Sequence, residues 1–398
     1  MPVSDDEHIG YRIAALRKRA GLTQRGLAQR IPYSYSLLRH VESGHKKASP
    51  QLVAAVARAL RVDVAALTGH AEHPLRPDRV AALVRPIREA LDLYDLPTDP
   101  RQAGASPSDL IAAADALCRD VREARLYQAA ASLPGLLTDL TASCHERPST
   151  ELWRAMASAC RSAHDVTTKL GRYDLAVIAL DRMGWAAERA GDPLLGAIRQ
   201  YKRALSYRAR DADHRIGLRM AAHGHHLLEQ AGREARRSTE SLAVAGQLHL
   251  GAAVIAARAG DRPAVEEHLA QASETAARTG EVGAVHWLSF GPANVGAHEV
   301  FARLELRQFD EALAAARAVR PPRGWAASRR AALLVDVARA ELETGRAEAS
   351  LASLLKARRL APQQTRFHPR ARETVRGLLH LRRRSPDTLT RLASWIGL

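Results

Sequence analysis

Three cysteines in 398 residues, Cys118, Cys144 and Cys160, are too few and too far apart for a disulfide framework. They are odd in number and form no C-x-x-C, which also argues against a zinc knuckle, and the expected compartment is the reducing cytoplasm. No positive-then-apolar leader opens the chain, and no run of about 18 uninterrupted apolar residues is present, so no membrane partner is expected. β-Branched alternation never lasts beyond a few residues, which excludes an extensive sheet. H-E-x-x-H, G-x-x-x-x-G-K-[ST], G-x-S-x-G and a strand-linked G-x-G-x-x-G are all missing, so neither catalysis nor a cofactor is expected. Lysine is scarce, six of the 59 basic residues, and Asn294 is the only asparagine. This is the bias of a GC-rich coding sequence. The formal net charge of +16 would ordinarily indicate a polyanionic partner, but much of it reads equally well as solvated arginine.

What is abundant is Ala, Leu and Arg, with apolar residues recurring at three- and four-residue steps almost throughout, and the chain reads as all-α. Gly21, Pro32, Gly44, Pro50 and Gly69 divide residues 8–69 into about five short helices. The expected organisation is an N-terminal domain at 1–70, a connecting helix and Pro-rich linker at 71–109, and a larger helical domain at 110–398. In that larger domain short turns precede Ala-spaced amphipathic helices: "GRYDLAVIAL" from Gly171, "AGDPLLGAI" from Ala190, "AGDRPAVEEHL" from Ala259, "RQFDEALAAA" from Arg307 and "GRAEASLASLL" from Gly345. Such a theme suits helical hairpins stacked closely on one another. It resembles the tetratricopeptide repeat. In the best copy Leu334, Val337, Ala338, Gly345, Leu354, Ala357 and Pro362 fall on that family's pattern, whereas Ser350 replaces its small Ala and Glu341 an aromatic. The resemblance implies an α-solenoid of tetratricopeptide-like hairpins, capped by two helices in the last 29 residues.

Residues 22–44, "LTQRGLAQRIPYSYSLLRHVESG", pack two short apolar-periodic runs around a polar turn. Thr23 suits an N-cap; Leu27, Ala28 and Ile31 share one face; Pro32 stops the first helix; Ser34 caps a second whose inner positions are Leu38 and Val41. Tyr35, Ser36, Arg39 and His40 are thereby left facing outward together, the kind of row that reading base edges in a major groove demands. "LTQ", "LA", "S-x-S", "VESG" and "SPQLVAAVARALRVDVAAL" together resemble the Cro/C1-type (XRE) helix-turn-helix domain across residues 10–69. The resemblance implies phosphate contacts from Gln24, Ser34, Lys46 and Lys47, base reading by Tyr35, Ser36, Arg39 and His40, and a structural ion pair between Arg17 and Glu42. Leu37 departs from the small polar residue common at its position; a thymine methyl or a neighbouring element are both open to it. Within residues 1–69 eleven basic residues face five acidic ones, which fits a phosphate-facing surface and a steep salt dependence.

A single domain of this type reads a short half-site, so a homodimer on an inverted repeat of double-stranded DNA is expected. The combination of such a head with a tetratricopeptide-like body resembles the peptide-pheromone receptor regulators of Gram-positive bacteria and similar regulators in high-GC actinomycetes. It implies gating by a peptide or small-molecule effector. "HWLSFGPANVGAHEVF", residues 286–301, gathers Trp287, Phe290, Asn294 and His298 and is the first candidate for that effector, with Asn294 able to donate and accept together; the alternative is a helix cap over core aromatics. Tyr201 and Arg203 on an earlier helix are further candidates. His223, His225 and His226 form "HGHH", where the 223-to-226 spacing could hold a metal; lacking a matching carboxylate or cysteine it reads as a solvated or pH-sensitive patch, and no metal is expected. Alternatively the body docks a protein partner in place of a ligand, or serves as an adaptor scaffold.

Overall fold

The computed structural model describes residues 9–60, 62, 67, 77–96, 105–209, 212–230, 237–283, 285–381 and 387–398. The acidic residues at 5–7, most of the segment expected to form the fifth N-terminal helix, the Pro-rich passage through 76 and part of the expected linker, 97–104, lie outside them. Every regular element among the described residues is helical, and the all-α expectation holds. The chain divides into two compact units, one of Met1–Arg79 with Val375–Leu398 and one of Val80–Thr374.

In the first unit α1 (Ile9–Arg19), α2 (Gln24–Ala28), α3 (Tyr35–Glu42) and α4 (Pro50–Leu60) surround a small core of Ile13, Leu27, Leu38, Val41, Leu52 and Val56. Each short helix after α1 starts on a hydroxyl. Thr23 Oγ1 accepts from Gly26 N–H, Ser34 Oγ from Leu37 N–H and Ser49 Oγ from Leu52 N–H, satisfying donors that a helix start otherwise leaves orphaned. Gly10 lets α1 touch the backbone of α3, since a Cβ there would land on the Val41 carbonyl. Leu67 is buried, and its carbonyl accepts from Arg12 Nε at 2.9 Å. The last residues form two helices, α19 (Pro369–Leu381), which passes from the second unit into the first at Val375, and α20 (Asp387–Ile396).

The second unit, from Val80 on, takes in most of α5 (Pro77–Asp92), whose Arg88 pairs with Asp174 at 2.7 Å. After it come α6 (Pro107–Arg122), α7 (Leu126–Glu146), α8 (Thr150–Lys169), α9 (Tyr173–Ala190), α10 (Pro193–Ser206), α11 (His214–Gln230), α12 (Thr239–Ala259), α13 (Arg262–Thr279), α14 (Pro292–Glu305), α15 (Phe309–Ala318), α16 (Ala327–Glu343), α17 (Ala347–Leu360) and α18 (Pro362–Phe367). Consecutive helices pair as hairpins: α6/α7, α8/α9, α10/α11, α12/α13, α14/α15 and α16/α17. The first helices of successive hairpins also pack on one another, α6 on α8, α8 on α10, α10 on α12, α12 on α14 and α14 on α16, which makes them an inner layer. α16 then lies against α6 and α18 against α7, so the layer closes on itself, with Tyr127 N–H donating to Gln363 Oε1 at 2.9 Å across the seam.

The sequence's turn signals mark these hairpins correctly. Gly191 and Gly260 end α9 and α12 in left-handed backbone, at φ 58° and 77°, where a Cβ would be strained. In the α16/α17 hairpin Ser350 fills the small position completely buried, its hydroxyl donating to the Ala338 carbonyl at 2.6 Å, and Glu341 accepts from Ser353 at 2.8 Å. The helix α12 is long and apolar enough by composition to cross a bilayer, and is the one such helix among the described residues. Here its apolarity is used for packing. It sits among α10, α11, α13 and α14, and Gly246 and Gly251 leave room for the rings of Phe290 and Tyr201.

Candidate functional site

The site is assembled from the back of α3 forwards. Arg17 and Glu42, both buried, form a two-pronged pair, Nε to Oε1 at 2.8 Å and Nη2 to Oε2 at 2.9 Å, and Arg17 Nη1 also donates to the Leu22 carbonyl at 2.7 Å. The hydrogen bond from Arg17 to Glu42, opposed by burial, raises the guanidinium above its ordinary range. One side chain of α1 thus holds the start of α2 and the end of α3 together. A planar fork fixes orientation as well as distance, which a single contact would not. Gln24 joins this network: its amide donates to Glu42 Oε2 at 2.7 Å, so the residue expected on a phosphate already has a partner within the domain and keeps one N–H to offer.

With its inner face fixed, α3 presents Tyr35, Ser36, Arg39 and His40 to solvent side by side. The Arg25 guanidinium lies 5.6 Å from the Tyr35 ring centre. His40 Nδ1 lies 2.7 Å from the Ser36 carbonyl, which can only accept, so Nδ1 carries the proton and Nε2 points outward. A neutral His40 therefore offers an acceptor at its tip, suited to the exocyclic amino group of adenine or cytosine; its protonated form would offer a donor to guanine. Ser34 uses its oxygen as the helix cap and keeps its O–H proton for an outside acceptor. Lys46 and Lys47 are exposed in the segment after α3, where Lys46 N–H returns to the His40 carbonyl at 3.0 Å. Leu37 is half-buried and packs on the domain core.

The candidates for an effector are placed differently. Asn294 and Phe290 are sealed inside the packing, Phe290 against Gly246, and Asn294 Nδ2 donates to Gln247 Oε1 at 3.1 Å. Asn294 Oδ1 and Gln247 Nε2 have no hydrogen-bond partner. His298 is buried one turn later and its Nδ1 donates to the Asn294 carbonyl. Burial, then Arg329, push its pKa down to about 3 against the pull of that bond. Tyr201 is buried against Gly251, and Arg203 makes only a weak contact with Gln200 at 3.4 Å. Trp287 is half-buried and anchored to α6 of the inner layer. Its indole N–H donates to Asp115 on α6 at 2.8 Å and its carbonyl accepts from Arg122, while the neighbouring His286 carbonyl accepts from Arg161 on α8. His286 and Trp287 both hold positive φ, 43° and 59°, a local cost met by these anchors.

Two features were not read from the sequence. His225 does not act with His223 and His226; it stacks 4.4 Å from His249, whose Nδ1 lies 3.2 Å from that of His268, so three different helices make the histidine cluster. Burial lowers all three pKa values, that of His249 to about 4. The second feature is a concentration of cations on the inner layer, described below.

Comparison with known proteins supports the first unit only. Residues 8–68 match the family model of a helix-turn-helix domain. No curated protein and no solved structure matches the chain.

Proposed function

We propose that this protein is a sequence-specific DNA-binding transcriptional regulator, acting in the cytoplasm as a homodimer on an inverted repeat, with an effector held by its helical-repeat unit and no catalytic step. The observation that carries the reading is the row Tyr35, Ser36, Arg39 and His40, exposed together on a helix whose other side is locked by the Arg17–Glu42 fork. A rigid helix with planar and hydrogen-bonding tips can enter a major groove without paying to order itself. Ser34, Lys46 and Lys47 flank that row and supply phosphate contacts, which fix register while the row reads bases. One α3 spans about 12 Å, enough for a few base pairs, so selectivity among genomic sites calls for a second head about 34 Å away.

Selection of bound sequences from a random DNA pool, with the full-length protein at two salt concentrations, tests the reading. An enriched inverted repeat, with affinity falling steeply as salt rises, is the expected result. Enrichment of no motif at either salt, from protein that is folded, would overturn it.

A further inference from the structure

One part of the inner layer of the helical-repeat unit brings together cations from α6, α8, α10 and α16. On α8, Arg161, Asp165 and Lys169 recur at four-residue steps and share one face. Asp165 accepts from Lys202 Nζ of α10 at 2.7 Å and from His164 Nδ1 at 2.8 Å. Although burial pushes it up, Lys202 and His164 hold this carboxyl well below the usual range, so it is a full charge. It is also already used by Lys202.

The other cations are not so matched. Arg122 at the end of α6 donates to the Trp287 carbonyl and the Ser289 hydroxyl, and Arg161 to the His286 carbonyl and the Cys118 thiol, all neutral acceptors. Among the described residues, the side chains of Lys169 and of Arg329, at the start of α16, have neither a hydrogen-bond nor an ion-pair partner. Arg329 nevertheless stands close enough to repel Arg122, Lys169 and His298, with α6 lying between α16 and α8 in the layer. Burial, followed by Lys202 and Arg329 and offset by Asp165, pushes the Lys169 ammonium down to about 8. Elsewhere in the same unit the fold pairs such groups carefully: buried Arg370 lies between Asp336 and Glu305, and Arg258 also meets Glu305. Withdrawing a charge from water without a counter-charge is unfavourable, and an arriving anion relieves it.

We propose that Lys169, Lys202, Arg122, Arg161 and Arg329 form an anion-binding site on the inner face of the ring, for a small ligand bearing several oxyanion oxygens, either a phosphate ester or a polycarboxylate. This rests on reading the helical-repeat unit as the effector-binding body, and gives that effector a chemistry. The carbonyls of His286 and Trp287 occupy Arg161 and Arg122 in the free protein; an anion takes them over, and the segment holding those two residues in positive φ is released from its anchors.

The test uses full-length protein, with inorganic pyrophosphate and citrate as probes, by calorimetry and thermal unfolding, against sodium chloride at matched ionic strength. At least one probe should bind saturably, one per chain, and raise the unfolding midpoint by several degrees where chloride does not. A preference for pyrophosphate identifies the phosphate source and a preference for citrate the carboxylate source. Lys169→Met should weaken binding at least tenfold, and the free variant should melt above the free parent, because an unpaired ammonium has gone. Arg329→Gln provides the same readings if the first variant fails to fold. The proposal is overturned if neither probe binds below about 10 mM, if chloride reproduces the shift, or if both folded variants bind like the parent. DNA selection on the same preparations separates the two claims: normal DNA binding without anion binding removes this inference alone, whereas anion binding without any selected motif removes the regulator reading and leaves the site standing.

Discussion

Removing the Glu42 carboxylate puts the most demanding test on how α3 is held. In Glu42→Ala, Arg17 stays buried with the Leu22 carbonyl as its one remaining acceptor, and the Gln24 amide loses its partner as well. Breaking a buried ion pair from one side costs about 3–5 kcal/mol, because the surviving charge is left without compensation. A domain of the size of residues 8–68 holds only about 3–9 kcal/mol in total, so the variant should sit at the edge of unfolding. Hydrogen exchange on the full chain reads this directly. Amides of α1 to α3 should exchange between about a hundred- and a few-thousand-fold faster, as that energy converts at tenfold per 1.4 kcal/mol, while amides of α12 serve as an unaffected internal reference. The double variant Arg17→Met with Glu42→Leu removes both charges and keeps the volume, and should recover most of the protection. An acceleration below tenfold in the single variant, or a double variant no better than the single, would refute the view that this fork holds the DNA-facing helix.

Three further outcomes follow from the same geometry. Gly10→Ala drives a Cβ onto backbone that cannot rotate away, and should lower the melting point of the first unit by an amount matching roughly 1–3 kcal/mol, read by the same exchange experiment. Arg39→Ala should cost about 1–3 kcal/mol on the selected operator and relax the preference at one base position, whereas Lys47→Ala should weaken all sequences alike and reduce the salt slope by about 1; quantitative binding across salt separates them. His298, whose folded pKa of about 3 lies below the ordinary 6.5, gives stability that is complete above pH 6.5 and is lost as pH falls toward 3. At pH 5 that loss is on the order of 2 kcal/mol, so unfolding of the helical-repeat unit should shift down between pH 7 and pH 5 and the shift should shrink in a folded His298→Gln variant.

The helix-turn-helix unit was legible because its signals are local. Thr23, Ser34 and Pro32 punctuate the chain within a few residues of what they control, and the inner and outer faces of α3 follow from helical spacing alone. Arg17 and Glu42 are 25 residues apart, and only the family pattern joined them in advance. In the larger unit, turns were readable while partners were not. Asn294 stands out in the sequence as an effector candidate because the donor-rich stretch around it is conspicuous; Gln247 and Gly246, which enclose Asn294 and Phe290, lie on another helix with nothing in the sequence to link them. His225 was grouped with its neighbours in "HGHH", whereas its companions His249 and His268 are 24 and 43 residues on. Surplus arginine read as solvated charge. That reading describes the outer face of a helix, and no periodicity distinguishes it from the inner face of a closed layer.

Closure of that layer alters how the unit unfolds. An open stack of hairpins behaves as a one-dimensional array: each member depends on its neighbours, the ends fray first, and partial structures persist. Joining α16 to α6 and Gln363 to the Tyr127 amide, 236 residues apart, leaves no end to fray. The seam becomes the contact of greatest loop-closure cost, formed last and only when every hairpin between is in place. A change in any one hairpin is then felt at the seam, so the unit melts as a single cooperative body and a ligand bound at one part of the ring stabilises all of it.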